Sequence, residues 1–181
     1  NRFILQNDKI QASEYLTKFS RLVRMILENS KETSISLESE LESLNLYLEL
    51  ESLRFQDRFR YKISVPKELL ETDVKVPPLI IQPFAENAIW HGLMHKPETG
   101  QLDIEISSEK DQLCIRIADN GIGRQQSKQL ESKSVMLHKS MGQQITLDRI
   151  ALLGSRDGVK SSIRINDLTG ANGKGAGTEV I

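Results

Sequence analysis

The spacing of apolar residues changes near residue 60, and this change limits the folds that the chain can adopt. Before it, apolar residues recur at steps of three and four, the period of an amphipathic helix. After it, Tyr61, Ile63 and Val65 alternate with polar residues, as in a half-buried strand. Both patterns return further along the chain without a regular βαβ alternation. The chain is therefore predicted to form an α+β sandwich, in which helices cover one face of a sheet.

Residues 1–57 predict a helical hairpin. The first apolar seam comprises Ala12, Leu16, Phe19, Val23 and Ile26. The second seam comprises Leu37, Leu41, Leu44, Leu48 and Phe55, and Ser36 is placed to cap its helix. The short connection between the seams predicts antiparallel packing. Helices this short are marginal alone, so the hairpin is expected either to lie on a core or to make dimer contacts.

Residues 58–181 predict the sheet and the helices that pack on it. A buried helix is expected over residues 79–93, with Pro78 at its start. Strands are expected at residues 102–106, 113–117 and 163–165, and a further helix at 145–153. The polar residues 124–140 are expected to be mobile, and a glycine-rich turn at 170–177 precedes a last strand. Both ends fall in apolar stretches, so we expect that they are cuts and that the last strand is incomplete.

The buried helix carries the first group of residues suited to chemistry. Asn87 and His91 are four residues apart and share a face. An amide oxygen is a hard ligand suited to Mg²⁺, and an imidazole can contact phosphate. Taken alone, the pair is more typical of a buried helix that keeps polar side chains for internal hydrogen bonds.

The second group is Asp119-Asn120-Gly121-Ile122-Gly123, directly after a strand. An acid there can accept a hydrogen bond from an exocyclic amine, and glycine lacks the Cβ that would block a flat ring. Taken alone, the same residues are typical of a plain turn.

The third group is Gly175-Ala176-Gly177-Thr178, before the last strand. Its backbone N–H groups can cradle phosphate, although any glycine-rich hairpin would look the same. Between the second and third groups, Gly142 stands at the start of a helix, just after His138 and Lys139. Helix N-termini favour phosphate.

The order of these groups resembles the GHKL ATP-binding superfamily, which includes histidine kinases, gyrase, mismatch-repair ATPases and heat-shock chaperones. Two stretches are similar to the LytS-like branch of sensor histidine kinases: VPPLIIQPFAENAIWHG and, just before the predicted sheet domain, YLELESLRFQDRF at residues 47–59. The resemblance covers nearly the whole chain. It implies a Bergerat-type sandwich with a mixed sheet over residues 58–181. The hairpin at 1–57 would then be the remainder of the dimerisation and phosphoacceptor region.

The resemblance implies roles for the first group. Asn87 would coordinate the Mg²⁺ of Mg-ATP, and His91 would contact the phosphates or the lid above them. Glu86 would orient water or the transferred group.

The resemblance also implies an ATP pocket built from the other two groups. Asp119 would bind the adenine amine, with Gly121 and Gly123 lining the ring. The lid over the phosphates would include His138, Lys139 and Gly142, and the floor would include Gly175, Gly177 and Thr178.

The chain departs from the family pattern in two places. The second glycine box would be Gly-x-Gly, whereas this chain has Gly142-Gln143-Gln144. The phosphoacceptor of this branch lies in an Asn-Pro-His-Phe-Leu-Phe-Asn run, which is absent here. The three histidines, His91, His95 and His138, lie in or beside the nucleotide domain. We therefore expect the acceptor histidine upstream of Asn1.

The leading hypothesis is a histidine kinase module that passes the γ-phosphoryl group of ATP to that histidine, and then to an aspartate of a response regulator. A GHKL ATPase or serine kinase is one alternative. Those relatives place a glutamate four residues before the metal asparagine, where this chain has Pro83. A non-catalytic signalling scaffold with a degenerate pocket is the other alternative. The intact set of Asn87, Asp119 and Gly175-Ala176-Gly177-Thr178 argues against it, while Gln144 keeps it open.

Charge and cysteine content narrow the setting. The formal net charge of -1 gives little support to general nucleic-acid binding. The single cysteine, Cys114, can form no internal disulfide, which fits a reducing compartment. The resemblance implies a response regulator and, in the full-length protein, a homodimer as partners. It also implies the cytoplasmic portion of a protein anchored in the inner membrane.

Overall fold

The computed structural model describes residues 9–56, 58–110, 112–130, 161–170 and 175–181. It begins with helix α1 (Lys9–Asn29), a short strand β1 (Ile35–Ser36) and helix α2 (Leu37–Phe55). The side chain of Ser36 caps α2 by accepting a hydrogen bond from the Ser39 N–H at 3.1 Å. Ion pairs join Lys18 to Glu49 and Arg21 to Glu42. Because the residue numbers rise along α1 while they fall along α2, the two helices are antiparallel. The antiparallel hairpin and its cap are therefore confirmed.

The two helices of the hairpin contact each other mainly through residues outside the two predicted seams. Helix α2 turns its seam toward the sheet, where Leu37, Leu44 and Leu48 are at most 1% exposed. Its other apolar face, Leu46 and Leu50, packs against Leu22 of α1. Of the predicted α1 seam, Leu16, Phe19 and Val23 are left exposed. Ile26, at the end of the seam, packs instead against the cluster of Leu22. The reason is that α2 is apolar on two faces, and the larger core takes the predicted one.

The remaining elements form a mixed sheet. Its strands are β2 (Phe59–Ser64), β4 (Gly100–Glu109), β5 (Gln112–Asp119), β6 (Ile165–Thr169) and β7 (Gly175–Val180), in the spatial order β2-β4-β5-β7-β6. Strands β2 and β4 are parallel, and the other neighbouring pairs are antiparallel. A separate two-stranded ladder joins β1 to β3 (Lys75–Val76), after the one-turn helix α3 (Lys67–Leu70). The α+β class is confirmed.

One face of the sheet holds the core. Along β4, Leu102, Ile104 and Ile106 are buried, whereas Gln101 and Glu105 on the opposite face are exposed. Helix α2 and the helical segment after residue 81 cover the buried face. The prediction of helices on one face is therefore confirmed. No helix in the described part of the chain is long and apolar enough to span a membrane.

The helix expected from Pro78 begins four residues later. It consists of an α-helical turn α4 (Gln82–Asn87), a π-helical turn (Ala88–Gly92) and a 3₁₀ turn (Leu93–His95). Leu79 has φ 58°, outside the helical region. The N–H groups of Leu79 and Ile81 donate to the Glu40 carboxylate instead of opening a helix. This long-range contact explains the late start.

The segment expected to be mobile is partly helical. Helix α5 (Arg124–Leu130) directly follows the Asp119–Gly123 turn. The rest of that segment and the helix expected at residues 145–153 lie outside the described residues. The glycines at the chain's end belong to a strand, because β7 begins at Gly175.

Candidate functional site

A cavity of about 230 Å³ lies between the α4–π segment, α5 and the ends of three strands. It contains members of all three predicted groups: Asn87, His91, Asp119, Gly123 and Thr178. The rest of its wall is mainly apolar and consists of Phe84, Ala88, Gly92, Ile117, Arg124, Ser127, Ile165 and Val180. Asn87 and Thr178, which are 91 positions apart in sequence, therefore share one cavity.

Asp119 is the buried acid of this cavity. It is the last residue of β5, and its side chain is 6% exposed. Oδ1 accepts a hydrogen bond from the Gly121 N–H at 2.8 Å. Burial raises the pKa of Asp119 to about 6, although backbone hydrogen bonds from Gly121 and Thr178 and the charge of Lys96 oppose the shift. Against apolar walls, a carboxylate of this kind can accept a hydrogen bond from a ligand's amine.

The glycines of the turn let three backbone segments meet behind Asp119. A Cβ on Gly121 would lie 2.4 Å from the carbonyl carbon of Gly92. Gly177 has φ 132°, and a Cβ there would lie 1.9 Å from the Asp119 carbonyl oxygen. Gly121, Gly175 and Gly177 are not in the cavity wall. Their contact with a ligand stays a prediction, while close backbone packing accounts for glycine at these positions.

Asn87 is the last residue of α4, and a hydrogen bond fixes the orientation of its side-chain amide. Its Nδ2 donates to the carbonyl oxygen of Pro83 at 2.6 Å. A carbonyl oxygen can only accept, so the amide cannot be turned around without placing two oxygens together. The atom that can contact a cation is therefore Oδ1.

The π-helical turn joins Asn87 to the Asp119 loop. The N–H of Leu93 reaches back to the Ala88 carbonyl, the wide hydrogen bond that defines this turn. The Gly92 carbonyl is then able to accept from the Ile122 N–H at 3.3 Å. His91, within the turn, lines the cavity. Turns of this kind are frequent at functional sites.

Glu86 is not brought into the cavity. Its side chain is exposed, and its electrostatic neighbours Tyr47 and Glu51 lie on α2. The partial burial of the Glu86 carboxyl raises its pKa. The structure thus separates Glu86 from Asn87, and its predicted role with the transferred group stays a prediction. His138, Lys139 and Gly142 lie outside the described residues.

Two cavity residues were missed from sequence. The guanidinium of Arg124 donates to both carboxylate oxygens of Asp167, at 2.6 and 2.8 Å. Ser127, one helical turn later, is only 2% exposed. The position of Arg124 beside Gly123 was a signal that could have been used. Ser127 offered none, because its polar surroundings are typical of a loop.

The donor set suits a purine nucleotide with a hard cation. No cluster of three His, Cys, Asp or Glu side chains suited to a metal occurs among the described residues. Asn87 Oδ1 is a hard oxygen that could hold a cation together with oxygens of a ligand, as Mg²⁺ is commonly held with phosphates. The apolar wall and Asp119 at the other end fit a flat base that carries an amine.

Comparison with known proteins points the same way. The sequence model described as histidine kinase matches residues 1–59. Over 120 residues the chain is 36% identical to sensor protein LytS of Oceanobacillus iheyensis, which covers 66% of this chain and 20% of LytS. Over 117 residues it is 34% identical to sensor histidine kinase BtsS of Escherichia coli K12, which covers 65% of this chain and 20% of BtsS. The chain thus spans about a fifth of the length of these relatives.

A solved structure supports the fold. The mycobacterial sensor histidine kinase MprB superposes with a TM-score of 0.50 at 14% identity, over 81% of this chain and 93% of that one. At this identity the likeness concerns the fold alone.

Proposed function

Because this chain belongs to the LytS-like sensor histidine kinases, we propose that it is the catalytic part, which binds Mg-ATP and delivers its γ-phosphoryl group. The group passes to a histidine upstream of residue 1 in the parent protein, and then to an aspartate of a response regulator. The observation that carries the proposal is the shared cavity of Asp119 and Asn87.

Each of the two residues has one task in this proposal. Asp119 accepts the exocyclic amine of adenine, while Ile117, Ile165 and Val180 exclude water from the ring. Asn87 offers Oδ1 to the magnesium ion, which neutralises charge on the phosphate oxygens. His91 lies one helical turn further on and contacts the phosphates.

Phosphoryl transfer of this kind needs no nucleophile in the cavity. Its catalysis consists mainly of positioning and of electrostatic stabilisation. The residues at hand therefore orient the nucleotide and exclude water, and the attacking nitrogen comes from the upstream histidine. Domain limits at 1–57 and 58–181 remain part of the proposal, although α2 packs in the same core as the sheet.

The exposed face of α1 supports a homodimer. Leu16, Phe19, Val23 and Leu27 recur at steps of three and four, and each is at least 37% exposed. An apolar stripe of this length on one helix is typical of a helix–helix interface. A second copy offers the same stripe, so two copies can bury it in a bundle. The bundle lies on the cytoplasmic side of a protein anchored in the inner membrane.

Hydrolysis is the weaker alternative. A GHKL ATPase or serine kinase needs a base four residues before the metal asparagine, and Pro83 has none. The Pro83 carbonyl instead accepts a hydrogen bond from Asn87. A pocket of this composition retains the nucleotide for transfer to the acceptor histidine.

Labelling with γ-³²P-ATP tests the proposed reaction. The full-length protein is expected to gain an acid-labile, base-stable phosphate on an upstream histidine, and Asp119→Asn is expected to abolish it. The 181-residue chain alone is expected to gain no such label. Acid-labile label on this chain at the level of the full-length protein would contradict the assignment of the acceptor.

A further inference from the structure

Helix α2 holds the segment before α4 through one buried carboxylate. Glu40 is 1% exposed, and its Oε2 accepts from the Leu79 N–H at 2.8 Å. Its Oε1 accepts from the Ile81 N–H at 3.1 Å. Within the described residues Glu40 has no ion pair, so backbone N–H groups alone hold it. Because a buried carboxylate is costly to remove from water, the contact points to a task that an apolar side chain could not perform.

The backbone that Glu40 holds opens the site helix. Leu79 keeps φ 58°, a conformation that is strained for a leucine and persists only where its surroundings fix it. The carbonyl of Ile81 accepts from the N–H groups of Phe84 and Ala85, which begin α4. Helix α4 is a single short unit, and Asn87 is its last residue. The carboxylate of Glu40 therefore fixes the start of the helix that ends at Asn87.

Glu40 lies at a junction with the hairpin. Ile35 of β1 pairs with Val76, and the Leu37 N–H donates to the Val74 carbonyl at 2.8 Å. The chain just before Glu40 is thus joined to residues 74–76 by backbone hydrogen bonds, and the Glu40 side chain extends the junction to Leu79 and Ile81. Helix α1, with its exposed apolar stripe, enters this junction directly through residues 30–34.

Asp119 is held in another way. It lies on β5, and its hydrogen bonds come from Gly121 and Thr178. The two ends of the cavity therefore depend on separate supports, and a loss at Glu40 should move Asn87 more than Asp119.

We propose that Glu40 is a positioning residue, which couples α2 to Asn87 and so sets the cation-binding end of the cavity. This inference rests on the proposed function, because it assigns the cation to Asn87. Glu40 itself does not line the cavity. It acts through residues 79–81 and α4, and it gives the hairpin a route by which to change the affinity for Mg-ATP.

Calorimetric titration of Glu40→Gln with ATP, in Mg²⁺ and in EDTA, tests the coupling. Glutamine keeps the size of the side chain but turns one acceptor into a donor facing a backbone N–H. The gain in ATP affinity that Mg²⁺ provides is expected to fall about tenfold, the effect of one charged hydrogen bond. The affinity for ADP in EDTA is expected to stay at the parent level. Glu38→Gln, on an exposed residue of the same turn, is the matched control and is expected to change neither affinity.

Leu79→Gly provides a second route if Glu40→Gln does not fold. Glycine accepts φ 58° without strain, so the variant is expected to fold while its backbone is less fixed. The same selective fall in the Mg²⁺-dependent gain is expected.

The outcomes separate this inference from the proposed function. An unchanged Mg²⁺-dependent gain in the variants, or an equal loss for ADP in EDTA, overturns the positioning role while the parent still binds nucleotide. A parent chain that binds neither ATP nor ADP overturns the proposed function and this inference together.

Discussion

The backbone of Gly121 lies directly against that of Gly92, so that a Cβ on Gly121 would come within 2.4 Å of the Gly92 carbonyl carbon. This approach joins the loop after Asp119 to the π-helical turn after Asn87. The two predicted ends of the nucleotide site therefore face one cavity because two glycines meet.

Gly121→Ala is expected to separate these segments. Neither backbone can yield without moving the loop or the turn, so the variant should lose about 1–3 kcal/mol of stability, as is usual for overpacking. It should also lose most of its nucleotide affinity. Thermal unfolding with and without ADP measures both effects. In the control Gly100→Ala, the atoms nearest to the added Cβ belong to the buried side chain of Leu93. This variant should also lose stability, but nucleotide binding should survive, because Gly100 lies outside the cavity.

The pH dependence of binding should follow Asp119. Its pKa is raised by burial to about 6, so below that pH the carboxyl is protonated and accepts an amine less well. ADP affinity should therefore weaken as the pH falls through about 6, by up to roughly tenfold per unit. Asp119→Asn should bind weakly throughout, and it also corrects for titration of the nucleotide's own phosphates. A parent and a variant with the same pH profile would exclude Asp119 as the base-binding acid.

The raised pKa of Asp119 also affects the stability of the ligand-free protein, and the pH dependence of that stability is opposite to the pH dependence of binding. The folded state holds the proton more tightly than the unfolded chain does, between the ordinary value of 3.8 and about 6. The contribution of Asp119 to stability is then largest at low pH and is lost as the pH rises through about 6. Unfolding in urea at several pH values, with Asp119→Asn beside the parent, measures it. If the free energies of unfolding of the two proteins differ by the same amount at every pH, the raised pKa of the buried Asp119 is contradicted.

Asn87→Ala should act through the cation. Removing Oδ1 is expected to weaken ATP binding in Mg²⁺ by about tenfold, whereas ADP binding in EDTA should change little. Isothermal titration in Mg²⁺ and in EDTA separates the two. Equal losses of affinity in Mg²⁺ and in EDTA would show that Asn87 acts only through its hydrogen bond to Pro83 and not through the cation.

Phe19→Glu should weaken self-association. Phe19 is 48% exposed and lies in the centre of the apolar stripe of α1, so a buried charge there would oppose pairing of two copies. The folded chain itself should remain stable. Sedimentation velocity over a concentration series measures the effect, and Thr17→Glu, on a polar side of the same helix, is the matched control. If the two variants self-associate equally, the exposed apolar stripe of α1 is not part of the interface between copies.

Local patterns were sufficient for much of the fold. Strand β4 followed from alternation, because one of its faces is buried and the other is more exposed. Strand β5 followed from the same spacing of apolar residues, although its burial increases toward Asp119 and does not alternate. The cap at Ser36 followed from residue type. Asn87 and Asp119 were placed in one site by the order of the motifs.

Long-range contacts account for what the patterns could not predict. Glu40 and Leu79 are 39 residues apart, and their hydrogen bond keeps Leu79 outside the helix. The helix predicted to start at Pro78 therefore begins at Gln82. Arg124 and Asp167 are 43 residues apart, and no local signal links them. The partner of the α1 seam was left open, because periodicity reports an apolar face but not what packs against it.

Binding of ATP to this chain with and without Mg²⁺, measured by isothermal titration beside Asp119→Asn, tests the central claim most directly. We expect the parent to bind ATP in both conditions and more tightly in Mg²⁺, and Asp119→Asn to lose most of the affinity in both. A parent chain that binds no ATP, or an Asp119→Asn variant that binds it as tightly as the parent, would contradict the nucleotide site proposed between Asn87 and Asp119.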